Sequence, residues 1–246
     1  MVLVEDVDRV RLVTFNRPEK ANAFDDALYS AAGDALHAAA EDDSVSVVVL
    51  TGAGKCYSAG VDIDAMTAGT VGATFGLFVD MVTAFPKPLL AAVNGAAVGI
   101  GFTMLLHVDV VVVSERARLR APFTRMGVAP EAGSSFLLPR RMGRQAAALA
   151  FFTSDWIEPA EAVEHGLAVR VCPHERLLPE TLALAAQMAE HPLSSLIATK
   201  RLILDAERDH VARAVALEGA AFAELLELPG ANERVAAQLG KGTSGT

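Results

Sequence analysis

Asn94-Gly95-Ala96-Ala97-Val98-Gly99-Ile100-Gly101 is the stretch around which the chain is organised. Before it, Leu89 to Val93 is short and apolar, bounded by Pro88 and the Asn94-Gly95 turn signal, which predicts a buried strand. After it, Gly101-Phe102-Thr103-Met104-Leu105-Leu106 has almost no polar atoms and predicts a buried helix. A helix starting at Gly99 or Ile100 aims unbonded backbone N–H groups and the positive end of its dipole into the interior. Glycines at 95, 99 and 101 let another backbone, or a ligand, come close. Such a start suits a ligand oxygen that becomes negative during a reaction. It serves tight helix–strand packing equally well, and this stretch alone does not separate the two.

Upstream, residues 2–5 and 10–16 predict a hairpin around Asp6-Val7-Asp8, closed by Arg17-Pro18. The alanine-rich run 26–40 predicts a helix capped by Asp25 or Asp26. Residues 46–51 form a β-branched, buried strand that ends in Gly52-Ala53-Gly54-Lys55. The Gly-Lys pair does not make a phosphate loop, because Val49 stands at the first glycine position and Cys56 follows the lysine. Asp62 is placed to cap a short helix. Residues 70–85 carry Phe75, Phe78, Val79, Met81 and Val82 at mixed helical spacing, which fits ordinary core or the wall of an acyl pocket. Downstream, strands are expected at 108–113, 119–121 and 169–172. A Pro/Gly loop at 126–135 leads to helices at 136–142, 143–153 and 159–165, the last with Pro159 in its first turn and Gly166 beyond its end. From Pro179 onward the pattern is helical only, in three segments broken by His191-Pro192 and Pro229-Gly230. Residues 241–246 read as a disordered tail.

The 246 residues are 52% hydrophobic and 21% charged, enough to bury a sizeable core in one large domain. No apolar run reaches the roughly 18 residues needed to span a bilayer. The N-terminus has neither a basic start nor a secretory core, so a cytoplasmic protein is expected. A net charge of −9 argues against a nucleic-acid surface. Cys56 and Cys172 stand apart without metal-ligand spacing and read as buried, reduced thiols; neither a metal nor a separate cofactor is expected.

Three motifs in register, Asn16-Arg17-Pro18 with Asn22-Ala23-Phe24, Ser58-Ala59-Gly60-Val61-Asp62-Ile63, and Asn94-Gly95-Ala96-Ala97-Val98-Gly99, resemble the enoyl-CoA hydratase/isomerase (crotonase) family. The resemblance implies an α/β fold, a crotonase-like spiral of β-β-α turns followed by a C-terminal helical region. It implies a spiral acyl-CoA-binding core over 1–178 and a helical trimerisation region over 179–240, assembled as a homotrimer or a dimer of trimers. The substrate it implies is an acyl-CoA thioester, held at an oxyanion hole of two backbone N–H groups that map to Ala59 and Ile100. The adenine then lies along Ser58 to Asp62, Gly60 included; Gly99, Phe102, Phe123 and Phe136 are further candidates for substrate binding, the phenylalanines with Met126 as the apolar surround of a catalytic base. Arg17 and Lys20 are candidates for the CoA phosphates, with a solvated surface as the alternative; Lys200 and Arg201 stay open in the same way.

Hydratases of this family carry two glutamates, and the matching positions here hold Thr103 and Phe123. Neither can activate a water or deliver a proton. Instead Ala129-Pro130-Glu131-Ala132-Gly133 places an acid where hydratases have a glycine, which resembles the Δ3,Δ2-enoyl-CoA isomerase branch with Glu131 as its single catalytic base. Moving a proton from C2 to C4 needs one carboxylate, and one is present. Two alternatives remain: another acyl-CoA enzyme of the family, such as a weak hydratase, or an acyl-CoA-binding member without turnover. Asp62 reads as a helix cap, Asp109 as structural, and His107 as a core histidine.

Overall fold

The computed structural model describes residues 1–67, 72–231 and 234–235. The expected tail at 241–246, and parts of the expected helices around 70 and beyond 231, lie outside the described residues. In chain order the elements begin β1 (Val2–Val7), β2 (Val10–Phe15), α1 (Asp26–Glu41), β3 (Val47–Gly52), β4 (Cys56–Ser58), α2 (Ile63–Thr67) and α3 (Gly72–Ala84). The central part comprises β5 (Leu89–Val93), β6 (Ala96–Val98), α4 (Ile100–Thr103), β7 (Val110–Ser114), β8 (Arg118–Arg120) and α5 (Phe123–Met126). There follow α6 (Ser134–Met142), α7 (Arg144–Thr153), α8 (Pro159–Glu164), β9 (Arg170–Cys172), α9 (Leu177–Ala189), α10 (Leu193–Asp205) and α11 (Arg208–Leu226).

The strands divide between two sheets, one of six strands in the order β1-β2-β3-β5-β7-β9 and one of three in the order β4-β6-β8. Among the strand pairs of the described residues only the β1–β2 hairpin is antiparallel. Each pair of consecutive strands, β3 with β4, β5 with β6 and β7 with β8, sends one strand to each sheet before a helix returns the chain. This is the spiral of β-β-α turns that the resemblance implies, and it explains why β3, β5 and β7 read as continuous apolar runs. A parallel strand covered on both faces has no solvent side to mark with polar residues. One face packs on α1 and α3; the other carries Val10, Leu12, Val47, Val49, Leu90 and Val112 against Leu177, Ala185 and Ala189 of α9. Helix α9 therefore belongs to the packing of the sheet, and that core runs past residue 178.

Several local features differ from expectation, among them the three-residue strands β4 and β6, which the sequence reading does not expect. Residues 123–126, of which that reading assigns only Met126, to the loop, form a helical turn that ends at Gly127, whose φ of 75° stops it. The buried helix after Gly99 is one α-turn, Ile100–Thr103, tightening into a 3-10 turn at Met104–His107. The helical region breaks at Ala206-Glu207, between α10 and α11, where no proline or glycine announces it. Among the described residues no helix is long and apolar enough to cross a membrane. Both cysteines are free, but Cys56 is only half-buried.

Candidate active site

The site is built where the loop after β4 meets the turn between β6 and α4. Asn22 and Asn94 fix the approach to it. Asn22 Nδ2 donates to Ala53 O and Cys56 O at 2.9 and 2.8 Å, and Asn94 Nδ2 donates to Gly54 O at 2.9 Å. The Ser58 hydroxyl is fully buried, donates to Asn22 O at 2.9 Å and accepts from the Gly60 amide at 3.1 Å. Ser58 thus shapes the loop from inside. Asp62 accepts from the Asp64 amide at 3.0 Å, which makes it the cap of α2, as its position predicted.

The two loops touch at Gly60 and Gly99. A Cβ on Gly60 would lie 2.8 Å from Val98 O, and one on Gly99 would lie 3.9 Å from Gly60 Cα. Both have positive φ, 94° and 54°, so neither position accepts a side chain without strain. The residues that follow this glycine contact are Val61 and Ile100. Phe24 N donates to Gly60 O and Asp62 N donates to Phe24 O, each at 2.7 Å, so the Val61 N–H turns the other way. Ile100 opens α4, so its N–H has no acceptor one turn back. Among the described residues, neither amide has a hydrogen-bond acceptor.

This corrects the expected donor pair. The Ile100 N–H is unbonded, but the Ala59 N–H is taken, donating to Ala21 O at 2.9 Å. The unbonded amide of that loop is Val61, two residues on. A regular extended chain would turn the amides of residues 59 and 61 to the same side. The positive φ of Gly60 between them, 94°, breaks that pattern, and the pairing of Phe24 with Gly60 O and Asp62 N turns the Val61 amide away from Phe24.

Glu131 follows Pro130 on the loop between α5 and α6. Its carboxylate is buried: Oε1 accepts from the Thr103 hydroxyl of α4, and Oε2 has no partner among the described residues. Burial pushes its pKa up from 4.5 to about 8; the Thr103 hydrogen bond opposes that rise and the charge of Glu218 adds to it. Tyr29 of α1, buried among Phe24, Phe75 and Phe78, brings a phenol within electrostatic reach of Glu131. Burial first, then the charges of Glu131 and Asp26, keep that phenol un-ionised well beyond the usual range. No motif pointed to Tyr29 or Glu218. His107 is the core histidine expected; Nε2 lies 2.7 Å from Ala132 O, and burial holds its pKa below 6.5. A carbonyl only accepts, so Nε2 carries the proton of the neutral ring.

The other expected binding residues divide. Arg17 is corrected: its guanidinium donates to Ala23 O at 2.7 Å and pairs with Asp62 and Asp25 at 3.1 and 3.2 Å, tying the loops together. Lys20 is exposed and pairs with Asp64 at 3.1 Å. Lys200 is buried, paired with Asp109 at 2.8 Å and bonded to Lys87 O, so it is an internal strut. Asp109 is structural, as read, and also accepts from the Leu89 amide. Phe102 and Phe123 are buried, the latter against Phe151. Phe136 stacks on His210 at 5.3 Å with Arg140 over its ring, so it serves the contact between α6 and α11.

A family model described as enoyl-CoA hydratase/isomerase matches residues 5–234. The chain is 35% identical over 246 residues to the 2,3-dehydroadipyl-CoA hydratase of Escherichia coli (strain K12), covering 98% of this chain and 96% of that one. It is 36% identical over 217 residues to the enoyl-CoA delta isomerase 2 of Rattus norvegicus, covering 85% of this chain and 55% of the rat protein. The crystal structure of an enoyl-CoA hydratase/isomerase from Pseudoalteromonas atlantica T6c superposes with a TM-score of 0.93 at 37% identity, covering 98% and 97% of the two chains.

Proposed function

The chain belongs to the enoyl-CoA hydratase/isomerase family, and from that premise we propose that it is a Δ3,Δ2-enoyl-CoA isomerase. The observation that carries this reading is the company of Glu131. Its carboxylate touches a threonine hydroxyl, at a position where hydratases hold a glutamate, and the other such position is the buried Phe123. Hydration needs one group to activate water and one to protonate carbon, whereas a double-bond shift reuses a single carboxylate.

In this mechanism the thioester carbonyl of a 3-enoyl-CoA accepts from the amides of Val61 and Ile100. Ionised Glu131 removes a proton from C2; the C–H electron pair forms a C1=C2 bond and the carbonyl pair moves onto the thioester oxygen, leaving a dienolate conjugated with C3=C4. Glu131 then returns the proton to C4, leaving the double bond between C2 and C3. Each preorganised donor contributes roughly a hundred- to a thousand-fold to such a rate. Glu131 supplies a further hundred- to ten-thousand-fold or so as the base. The only coenzyme in the scheme is the CoA that the substrate carries, and Lys20, exposed at the surface, reaches its phosphates only by giving up its ion pair with Asp64.

A second reading, hydratase, is favoured by the E. coli relative, which matches nearly the whole chain. Incubation with 3-hexenoyl-CoA and, separately, 2-hexenoyl-CoA decides between them. The isomerase converts the first to 2-hexenoyl-CoA and makes little 3-hydroxyhexanoyl-CoA from either. Efficient hydration of 2-hexenoyl-CoA overturns the proposal, and turnover of neither leaves an acyl-CoA-binding protein.

A further inference from the structure

The loop that follows Glu131 is held in a conformation it would not keep unaided. Ala132 has a φ of 57° and Gly133 of 73°, two successive left-handed residues, of which the first has a side chain. Contacts from two distant elements hold it there. His107 Nε2–H donates to Ala132 O from the 3-10 turn after α4. From the other side, Glu218 of α11 accepts from the Gly133 amide through one carboxylate oxygen and from the Ser135 amide through the other, both at 2.7 Å. Glu218 is 5% exposed. Helix α6 starts at Ser134, and its N-cap, Gly133, has no side chain to satisfy the first amides. A carboxylate from another helix fills that role and meets the positive end of the α6 dipole.

We propose that Glu218 is a positioning residue for Glu131: by clamping the two amides beyond the base, it fixes where the Glu131 carboxylate points and sets a second negative charge beside it. The groups facing Glu131 are the Thr103 hydroxyl from α4, the Tyr29 phenol from α1 and Glu218 from α11. His107 reaches only the backbone of the loop. Among these Glu218 is the one like charge, and it makes ionisation of Glu131 harder and the ionised form a stronger base. Basicity and aim of the base are thereby set by a helix of the C-terminal region.

The proposal rests on Glu131 being the base of the isomerase reaction, so its test includes a readout that needs no turnover. The carboxyl band of Glu131 is titrated by difference infrared spectroscopy, with Glu131→Gln as the blank, in the native protein and in Glu218→Gln and Glu218→Asp. In Glu218→Gln the band titrates at lower pH than in the native protein, because a neutral amide replaces the charge. Its kcat on 3-hexenoyl-CoA falls roughly tenfold or more while KM stays within about twofold, the signature of a misaimed base. Glu218→Asp keeps the charge, so its titration stays near native, but the shorter carboxylate misses one amide and kcat falls. Titration of Glu131 at the native pH in Glu218→Gln, or native kcat in both variants, overturns the proposal. Absence of isomerase turnover in the native protein refutes the assigned reaction, and the titration still decides the role of Glu218. Should Glu218→Gln fail to fold, a loss of kcat without change of KM in Glu218→Asp decides it.

Discussion

Glu131 combines a buried carboxylate with an oxygen that has no partner among the described residues, and both its chemistry and its cost follow from that. With its pKa near 8, the free protein holds Glu131 mostly un-ionised at neutral pH. The base must be ionised to act, so kcat/KM for 3-hexenoyl-CoA should rise about tenfold per pH unit below that value and level off above it. A flat profile across this window would exclude Glu131 as the base. Glu131→Gln keeps size and shape but accepts no proton, so turnover should fall roughly a hundred-fold or more while acyl-CoA binding persists. In deuterated water, part of the substrate's C2 hydrogen should reappear at C4. Stability moves the opposite way. The folded pKa is raised above the unfolded 4.5, so the native state holds an extra proton between 4.5 and about 8 and loses stability as pH rises through that window. Glu131→Gln escapes that loss, so its gain in Tm should be small at about pH 5 and largest at about pH 9. An equal change in Tm at both would show that the carboxylate is not buried un-ionised.

At the scale of elements, the two backbone donors are separable from their side chains. Ile100 is the first residue of α4, a position where proline is tolerated because that N–H has no intrahelical partner. Ile100→Pro should therefore cost roughly a hundred-fold in kcat with folding intact, whereas Ile100→Ala, which keeps the amide, should stay within a modest factor. Equal losses would show that the side chain matters and the amide does not. The buried helix start after Gly99 was legible in the sequence because glycines and an apolar run announce it locally. The strands of the six-stranded sheet were legible for the same reason, whereas β4 and β6, three residues each, were not. Helix α1 begins at Asp26 behind the Asp25 cap, whose carboxylate accepts from the Leu28 amide at 2.8 Å. What escaped depends on pairing at a distance. Ala59 and Val61 look alike in sequence, and only the bridge to Phe24 reveals which amide is unbonded. Arg17 looks like a phosphate ligand until Asp25 and Asp62 are seen beside it. The break at Ala206-Glu207 carries no helix-stopping residue, and Glu218 meets Gly133 across 85 positions of chain.

For the molecule as a whole, the question is what α7, α10 and α11 lie against. Helix α9 is consumed by the sheet, but Phe152 and Leu149 of α7 are 77% and 65% exposed. Leu202 and Ile203 of α10 and Leu217 of α11 are 69%, 60% and 62% exposed. Large side chains left open on these three helices favour burial between copies of the chain, and closed symmetric assembly is the common way to achieve it. We propose a trimer or a multiple of one, in line with the resemblance on which that expectation rests. Leu217 and Glu218 are adjacent on α11, one exposed and the other turned inward onto the Glu131 loop. A contact made on the Leu217 side would then hold the helix that holds the base. Sedimentation equilibrium at micromolar concentration should find a trimer or hexamer. Leu217→Arg should shift it toward smaller species and lower kcat in the same concentration range. A stable native monomer would refute the assembly, and a dissociated Leu217→Arg with undiminished kcat would show that the base is held by its own chain alone.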